Sequence, residues 1–184
     1  GVRLVGSEMC IRDSLKPRTV AAVGGPVPGG AFEFSLACDR ILLVDGKSSR
    51  IGLPETMLGI LPGWGGTHRL PRRIGIPKAL DCILTGRLLP AKPAKKRGLV
   101  DRLVHSEDLV RVAIEVAMGR KSCRRASRGI WRWLIDRNPL AKAIIRDQAL
   151  KGVDSKAHGK YPAPYAALDL VLSAPGASHS TWAR

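Results

Sequence analysis

The chain has 184 residues, 45% of them hydrophobic, which suits one globular domain; no apolar run is long enough to cross a bilayer as a helix, and no N-terminal apolar stretch has secretory-signal character. Its four cysteines (Cys10, Cys38, Cys82, Cys123) lack C-x-x-C spacing, which argues against a zinc knuckle or disulfide framework and for a reducing compartment. The 31 Lys+Arg against 15 Asp+Glu give +16, but the basic residues scatter through "RLPRR", "KPAKKR" and "GRKSCRRASR" without aromatic interleaving, so solvated faces and attraction to a phosphorylated ligand are expected rather than a nucleic-acid surface.

In chain order, "GVRLVGSEMCIRDS" shows no periodicity, and its "LVGSEMCIRDS" resembles the in-frame translation of a transposase sequencing adapter. Residues 1–14 are therefore expected to be non-native. "RTVAAVGG" (18–25) predicts a buried strand, and a helix is expected from Gly30 to Ala37. "RILLVD" (40–45) and "SRIGLPE" (49–55) predict two further strands. "GGTHRLPRRIG" and "PKALDCILTG" predict short helices punctuated by Pro71, Gly75 and Gly86, with Pro77 in a first turn. "PAKPAKKRG" predicts another brief helix, and "LVDRLVH" (99–105) a strand. From Ser106 the pattern is helical: an N-cap serine, two acids in the first turn and a stop at Gly119. Helical readings continue through "RGIWRWLIDRNPLAKAIIRDQAL", broken near Pro139, and "PYAALDLVL". The domain division is 1–14, a core over 15–105, and a helical extension over 106–184.

The chemistry concentrates in "GGPVPGGAFEFSLACD", residues 24–39. A phosphate loop requires Lys-Ser/Thr after its second glycine, where Gly30-Ala31 stands, and a dinucleotide fingerprint requires G-x-G-x-x-G, which is absent. Two readings remain open. One is a tight strand-to-helix turn in which glycine serves only backbone geometry. The other is an oxyanion site, because glycines at a helix start leave N–H groups unpaired and the helix dipole adds positive potential. Glu33 falls one helical turn after Gly30, among Ala31, Phe32, Phe34 and Leu36, whose apolar character should raise its pKa. A second carboxylate, Glu55 in "GLPETMLGILPGWGGT", lies 22 residues on. Two such acids facing one cavity would let one hold a water while the other exchanges a proton with carbon.

Three ordered blocks carry a resemblance: "KPRTVAAVGGPVPGGAFEFSLACD", "IGLPETMLGILPGWGGTHRLPRRIG" and "ALDCILTGRLLPAKPAKKRGLVDRLV". Together they resemble the enoyl-CoA hydratase/isomerase (crotonase) family. The downstream "LIDRNPLAKAIIRDQALKGVDSKAHGKYPAPYAALDLV" resembles the linker of multifunctional fatty-acid oxidation proteins, between a hydratase domain and a 3-hydroxyacyl-CoA dehydrogenase domain. The resemblance implies an α/β fold, a partial crotonase-like ββα spiral followed by C-terminal helices. It implies a lyase of β-oxidation, adding water to a trans-2-enoyl-CoA. Glu33 and Glu55 would be the catalytic acids, Glu33 orienting the water and Glu55 carrying a proton to and from the α-carbon. The Gly30 N–H would be one of two oxyanion donors, and the Gly63 N–H would help hold the water. Having both glutamates favours hydratase over pure isomerase. The substrate would be a coenzyme A thioester; no metal or cofactor is expected here, and NAD only in a downstream domain.

The resemblance also implies that the upstream half, with the other oxyanion donor and much of the CoA site, lies outside this chain. The chain alone is therefore expected to be inactive or nearly so, and its parent to assemble from several subunits in the bacterial cytoplasm or mitochondrial matrix. The alternative is a non-catalytic basic interaction module that keeps the fold's outline; a binding descendant has no chemical reason to keep both acids. Pro28 and Ala31 depart from the family's usual Leu and Gly, and Trp64 is bulky for its place, where a packing role is expected ahead of a narrowing of the acyl pocket. The four histidines are too dispersed for metal ligation, with His68 expected on a helix surface. Cys38 and Cys82 are expected in the core, and Lys92, Lys95, Lys96 and Arg97 on a solvated face.

Overall fold

The computed structural model describes residues 19–123, 136, 138–157 and 161–174. The adapter-like residues 1–14 and the predicted helical stretch 124–135 lie outside the described residues.

Six short strands and seven α-helices make a mixed α/β fold among the described residues. Strands β1 (Val20–Val23), β3 (Arg40–Val44) and β6 (Arg102–Val104) form a parallel sheet in the order β1-β3-β6. A second small sheet has the order β2-β4-β5, with β2 (Val27–Pro28) parallel to β4 (Arg50–Gly52) and β5 (Leu89–Pro90) antiparallel to it. Helix α1 (Gly30–Ala37) crosses from β2 to β3, and α2 (Gly66–Ile74), α3 (Ile76–Thr85) and α4 (Ala91–Arg97) follow β4. Helices α5 (Leu109–Ala117), α6 (Pro139–Ala157) and α7 (Pro162–Ser173) complete the chain.

β3 shows why its run of apolar residues is unbroken. Side chains alternate across a strand, and a parallel strand covered on both faces must be apolar at every position. Ile41 and Leu43 enter a core with Phe32, Leu36, Leu70 and Ile83, whereas Leu42 and Val44 face Val112 and Val116 of α5. Leu168 and Val171 of α7 join the first of these cores, so the C-terminal helices close over the same apolar interior as the strands. Each such side chain fully buried contributes roughly 1.5–3 kcal/mol.

Several local expectations change. The strand expected over residues 49–55 stops at Gly52, and Glu55 opens a 3-10 turn, Glu55–Leu58. Pro71 does not punctuate α2 but sits inside it; the ring removes one helix hydrogen bond, yet Leu70, Pro71 and Ile74 are all buried and hold the turn in place. Ser106 does not cap with its side chain: Ser106–Asp108 is a 3-10 turn, and α5 begins after it. His68 is buried on α2 rather than exposed. Gly75, Gly86 and Pro77 stand at helix ends as expected. The buried ion pair Arg73–Asp101, 2.8 Å with side chains 7% and 1% exposed, ties α2 to the loop before β6, where Asp101 also accepts the Ile41 N–H at 2.7 Å.

Candidate active site

The glycine turn is fixed before the helix begins. Gly29 has φ +59°, a conformation that side chains rarely adopt, and its N–H donates to the Gly52 carbonyl at 2.9 Å, joining the turn to β4. Its carbonyl accepts the N–H groups of Phe32 and Glu33 at 2.8 and 3.0 Å. Gly30 opens α1, and its N–H has no acceptor among the described residues. This is the unpaired donor a helix start leaves behind, in the positive end of the helix dipole.

Glu33, one turn later, is 2% exposed. Its Oε1 accepts two backbone N–H groups, from Trp64 at 2.9 Å and from Gly66 at 2.7 Å. The fit requires glycine at 66: a Cβ there would lie 2.8 Å from Glu33 Oε1 and 3.0 Å from Leu53 Cδ1. Burial pushes the Glu33 carboxyl up to about 7, and the nearby Glu55 carboxyl acts in the same direction, against the amides of Gly66 and Trp64 and the charge of Arg69.

Glu55 is 8% exposed, and neither of its oxygens has a hydrogen-bond partner among the described residues. Burial pushes its carboxyl above the ordinary range, with its own backbone N–H opposing. It lies against the glycine turn, since a Cβ at Gly29 would fall 3.0 Å from Glu55 Oε1. The two acids predicted from the sequence therefore meet beside the start of α1, held in opposite ways. Gly63 is exposed in the turn before α2, with no acceptor for its N–H among the described residues, and immediately precedes Trp64.

The sequence reading gives Trp64 a packing role, ahead of a narrowing of the acyl pocket, and gives Gly66 none, yet the amides of both hold Glu33. The signal for them was the spacing in "GWGG": small residues on both sides of one aromatic mark a backbone that comes close to something. Farther along, Met57 and Leu58 join Leu80, Leu84, Ile145 and Val153 around an apolar groove of about 710 Å³, which neither carboxylate lines. Cys38 and Cys82 are buried, as expected, and burial pushes the Cys82 thiol up, which suits core packing and not nucleophilic chemistry. Lys92, Lys95 and Lys96 are exposed, with the Lys95 ammonium donating to the Asp101 carbonyl and Arg97 half-buried against Asp81.

The chain is similar to several known proteins. It is 44% identical over 160 residues to the fatty acid oxidation complex subunit alpha of Shewanella loihica, covering 86% of this chain and 23% of that protein. It is 46% identical over 153 residues to the same subunit from Aliivibrio fischeri, covering 83% and 22%. The chain thus spans less than a quarter of the length of these curated relatives. Among solved structures, an enoyl-CoA hydratase from Bacillus anthracis superposes with a TM-score of 0.57 at 34% identity, covering 82% of this chain and 59% of that one. An enoyl-CoA hydratase subunit from Geobacillus kaustophilus gives 0.56 at 28% identity, covering 97% and 60%. The enoyl-CoA hydratase/isomerase family profile matches residues 9–128. With two buried carboxylates and a bare helix-start amide at one turn, on a fold shared with these hydratases, the chain belongs to the enoyl-CoA hydratase/isomerase family.

Proposed function

We propose that this chain supplies the two-glutamate half of a hydratase site that adds water across the double bond of a trans-2-enoyl-CoA. The observation that carries this reading is the placement of Glu33 and Glu55, both buried, beside the free Gly30 N–H. The thioester carbonyl oxygen accepts the Gly30 N–H, so the negative charge that develops there meets a fixed donor; losing such a donor typically costs about 3 kcal/mol of barrier. Water sits between the carboxyls, oriented by Glu33 and by the Gly63 N–H. Its oxygen bonds to the β-carbon, its proton passes to the acid pair, and Glu55 delivers a proton to the α-carbon as the enolate collapses. A carboxyl that burial keeps protonated more readily than a free one suits that delivery.

The chain spans 22–23% of its fatty-acid-oxidation relatives, which supports a role within a longer polypeptide. In that setting residues 15–105 form the hydratase portion and 106–184 lead toward further domains, including any that use NAD, and the bacterial relatives favour the cytoplasm. No helix among the described residues is long and apolar enough to cross a membrane. The isolated chain is expected to bind an acyl thioester weakly and to turn it over little. Crotonyl-CoA hydration, followed for the chain alone and for a longer polypeptide that contains it, tests both parts. Full enzyme rates from the chain alone would end the divided-site reading. Unimpaired turnover in the longer polypeptide carrying Glu55→Gln would end the assignment of Glu55.

A further inference from the structure

Trp64 is only partly packed. Its indole is 45% exposed, unusual for the largest apolar side chain, yet the ring presses on the glycine turn. A Cβ added to Gly30 would lie 2.5 Å from Cζ3, 2.8 Å from Cε3 and 3.3 Å from Cη2 of the ring. The ring thus rests against the same Cα that carries the free N–H. Its origin is fixed as well, because the Trp64 N–H is held by Glu33 Oε1 at 2.9 Å and the Gly66 N–H by the same oxygen at 2.7 Å. One residue therefore holds the carboxylate with its backbone and covers the Cα of Gly30 with its side chain.

We infer that Trp64 is a specificity-determining residue that admits acyl groups unsubstituted at the α-carbon and rejects α-branched ones. The inference rests on the reading of Gly30 as the thioester's oxyanion donor. A carbonyl oxygen on that N–H brings the α-carbon alongside the aromatic wall that covers Gly30. A flat, straight-chain acyl group lies along such a wall, whereas a methyl branch at the α-carbon drives into it. A steric difference of one methyl group is worth roughly 10–200-fold in discrimination.

The test is equilibrium binding to the 184-residue chain of two saturated thioesters that cannot be hydrated, butanoyl-CoA and 2-methylbutanoyl-CoA, by titration calorimetry. The wild-type chain is expected to favour butanoyl-CoA by about tenfold. Trp64→Ala should bring the ratio to about twofold or less by admitting the branched ligand, and Trp64→Phe, which keeps a smaller wall, should fall between them. Circular dichroism establishes that each variant keeps its fold, and Trp64→Phe alone decides the matter if Trp64→Ala does not fold. A ratio unchanged in the variants, or no preference in the wild type, overturns the role of Trp64 and leaves the glutamates' assignment standing. Where the chain alone binds too weakly to titrate, the same titration of the longer polypeptide that contains it decides, and a folded longer polypeptide that binds neither thioester at millimolar concentration overturns the thioester's placement at this turn, and with it the proposed function.

Discussion

Glu33 and Glu55 are both buried acids of one site, but the fold treats them differently. Glu33 projects from α1 into two backbone amides of the "GWGG" turn, and those amides fix its Oε1. Glu55 stands at the head of a 3-10 turn with both oxygens unpartnered among the described residues. A third buried carboxylate, Asp101, is held by a cation, Arg73. The three buried acids differ in what holds them: two backbone amides for Glu33, no hydrogen-bond partner among the described residues for Glu55, and a cation for Asp101. An unpaired buried carboxyl destabilises a fold unless it is neutral, which supports the proton-transfer role proposed for Glu55.

The largest effect should come from Glu55. Within the longer polypeptide, Glu55→Gln is expected to lower turnover of crotonyl-CoA by about 10²–10⁴-fold while leaving thioester binding nearly unchanged. Stability should hold or rise, since an unpaired acid is replaced by a neutral side chain of the same shape. A large loss of stability would mean that Glu55 is structural after all.

Asp101 should behave in the opposite way. Asp101→Asn strands the Arg73 charge in the interior and is expected to destabilise the chain by about 3–5 kcal/mol, read from the urea midpoint. Adding Arg73→Met should recover part of that loss. If Asp101→Asn is neutral, the contrast between paired and unpaired acids loses its structural arm.

Glu33 makes a pH prediction. Its folded pKa of about 7 lies above the ordinary 4.5, so the folded chain binds more protons than the unfolded chain between those values. Stability from this group is therefore fully present below about pH 4.5, falls as pH rises, and levels off above about pH 7, by at most ~3 kcal/mol. Glu33→Gln keeps the acceptor for both amides and removes the titration, so this component of the difference between unfolding near pH 5 and near pH 8 should vanish. A pH dependence identical to wild type would place the Glu33 pKa near its ordinary value.

The smallest effect concerns the glycine that frames Glu33. Gly66→Ala places a methyl group 2.8 Å from Oε1 and is expected to cost about 1–3 kcal/mol while pushing the carboxylate off its amides. A crystal structure of the variant with Glu33 undisturbed would show that the site tolerates the change.

Much of this was legible in the sequence. The glycine turn, the helix from Gly30 to Ala37, strand β3 and the helix ends at Gly75 and Gly86 all follow from local rules, because glycine, proline and apolar periodicity act on near neighbours. The strand that ends early at Gly52, Pro71 inside α2 and buried His68 do not follow, because distant packing overrides local preference there. Ser106 shows the same limit: a good capping residue was present, but Ser106–Asp108 winds into a 3-10 turn and Asp108, not Ser106, stands at the start of α5.

By itself the sequence determined that two acids would stand near glycine-rich turns, and that one helix would start with a bare amide. Only the tertiary structure decided that the acids come together, that the "GWGG" amides hold Glu33 while the Glu55 carboxyl has no partner elsewhere among the described residues, and that an indole lies on Gly30. Those contacts join residues more than twenty positions apart. Their geometry is set by the packing of β4, α1 and α2 against a shared core, which no local pattern encodes.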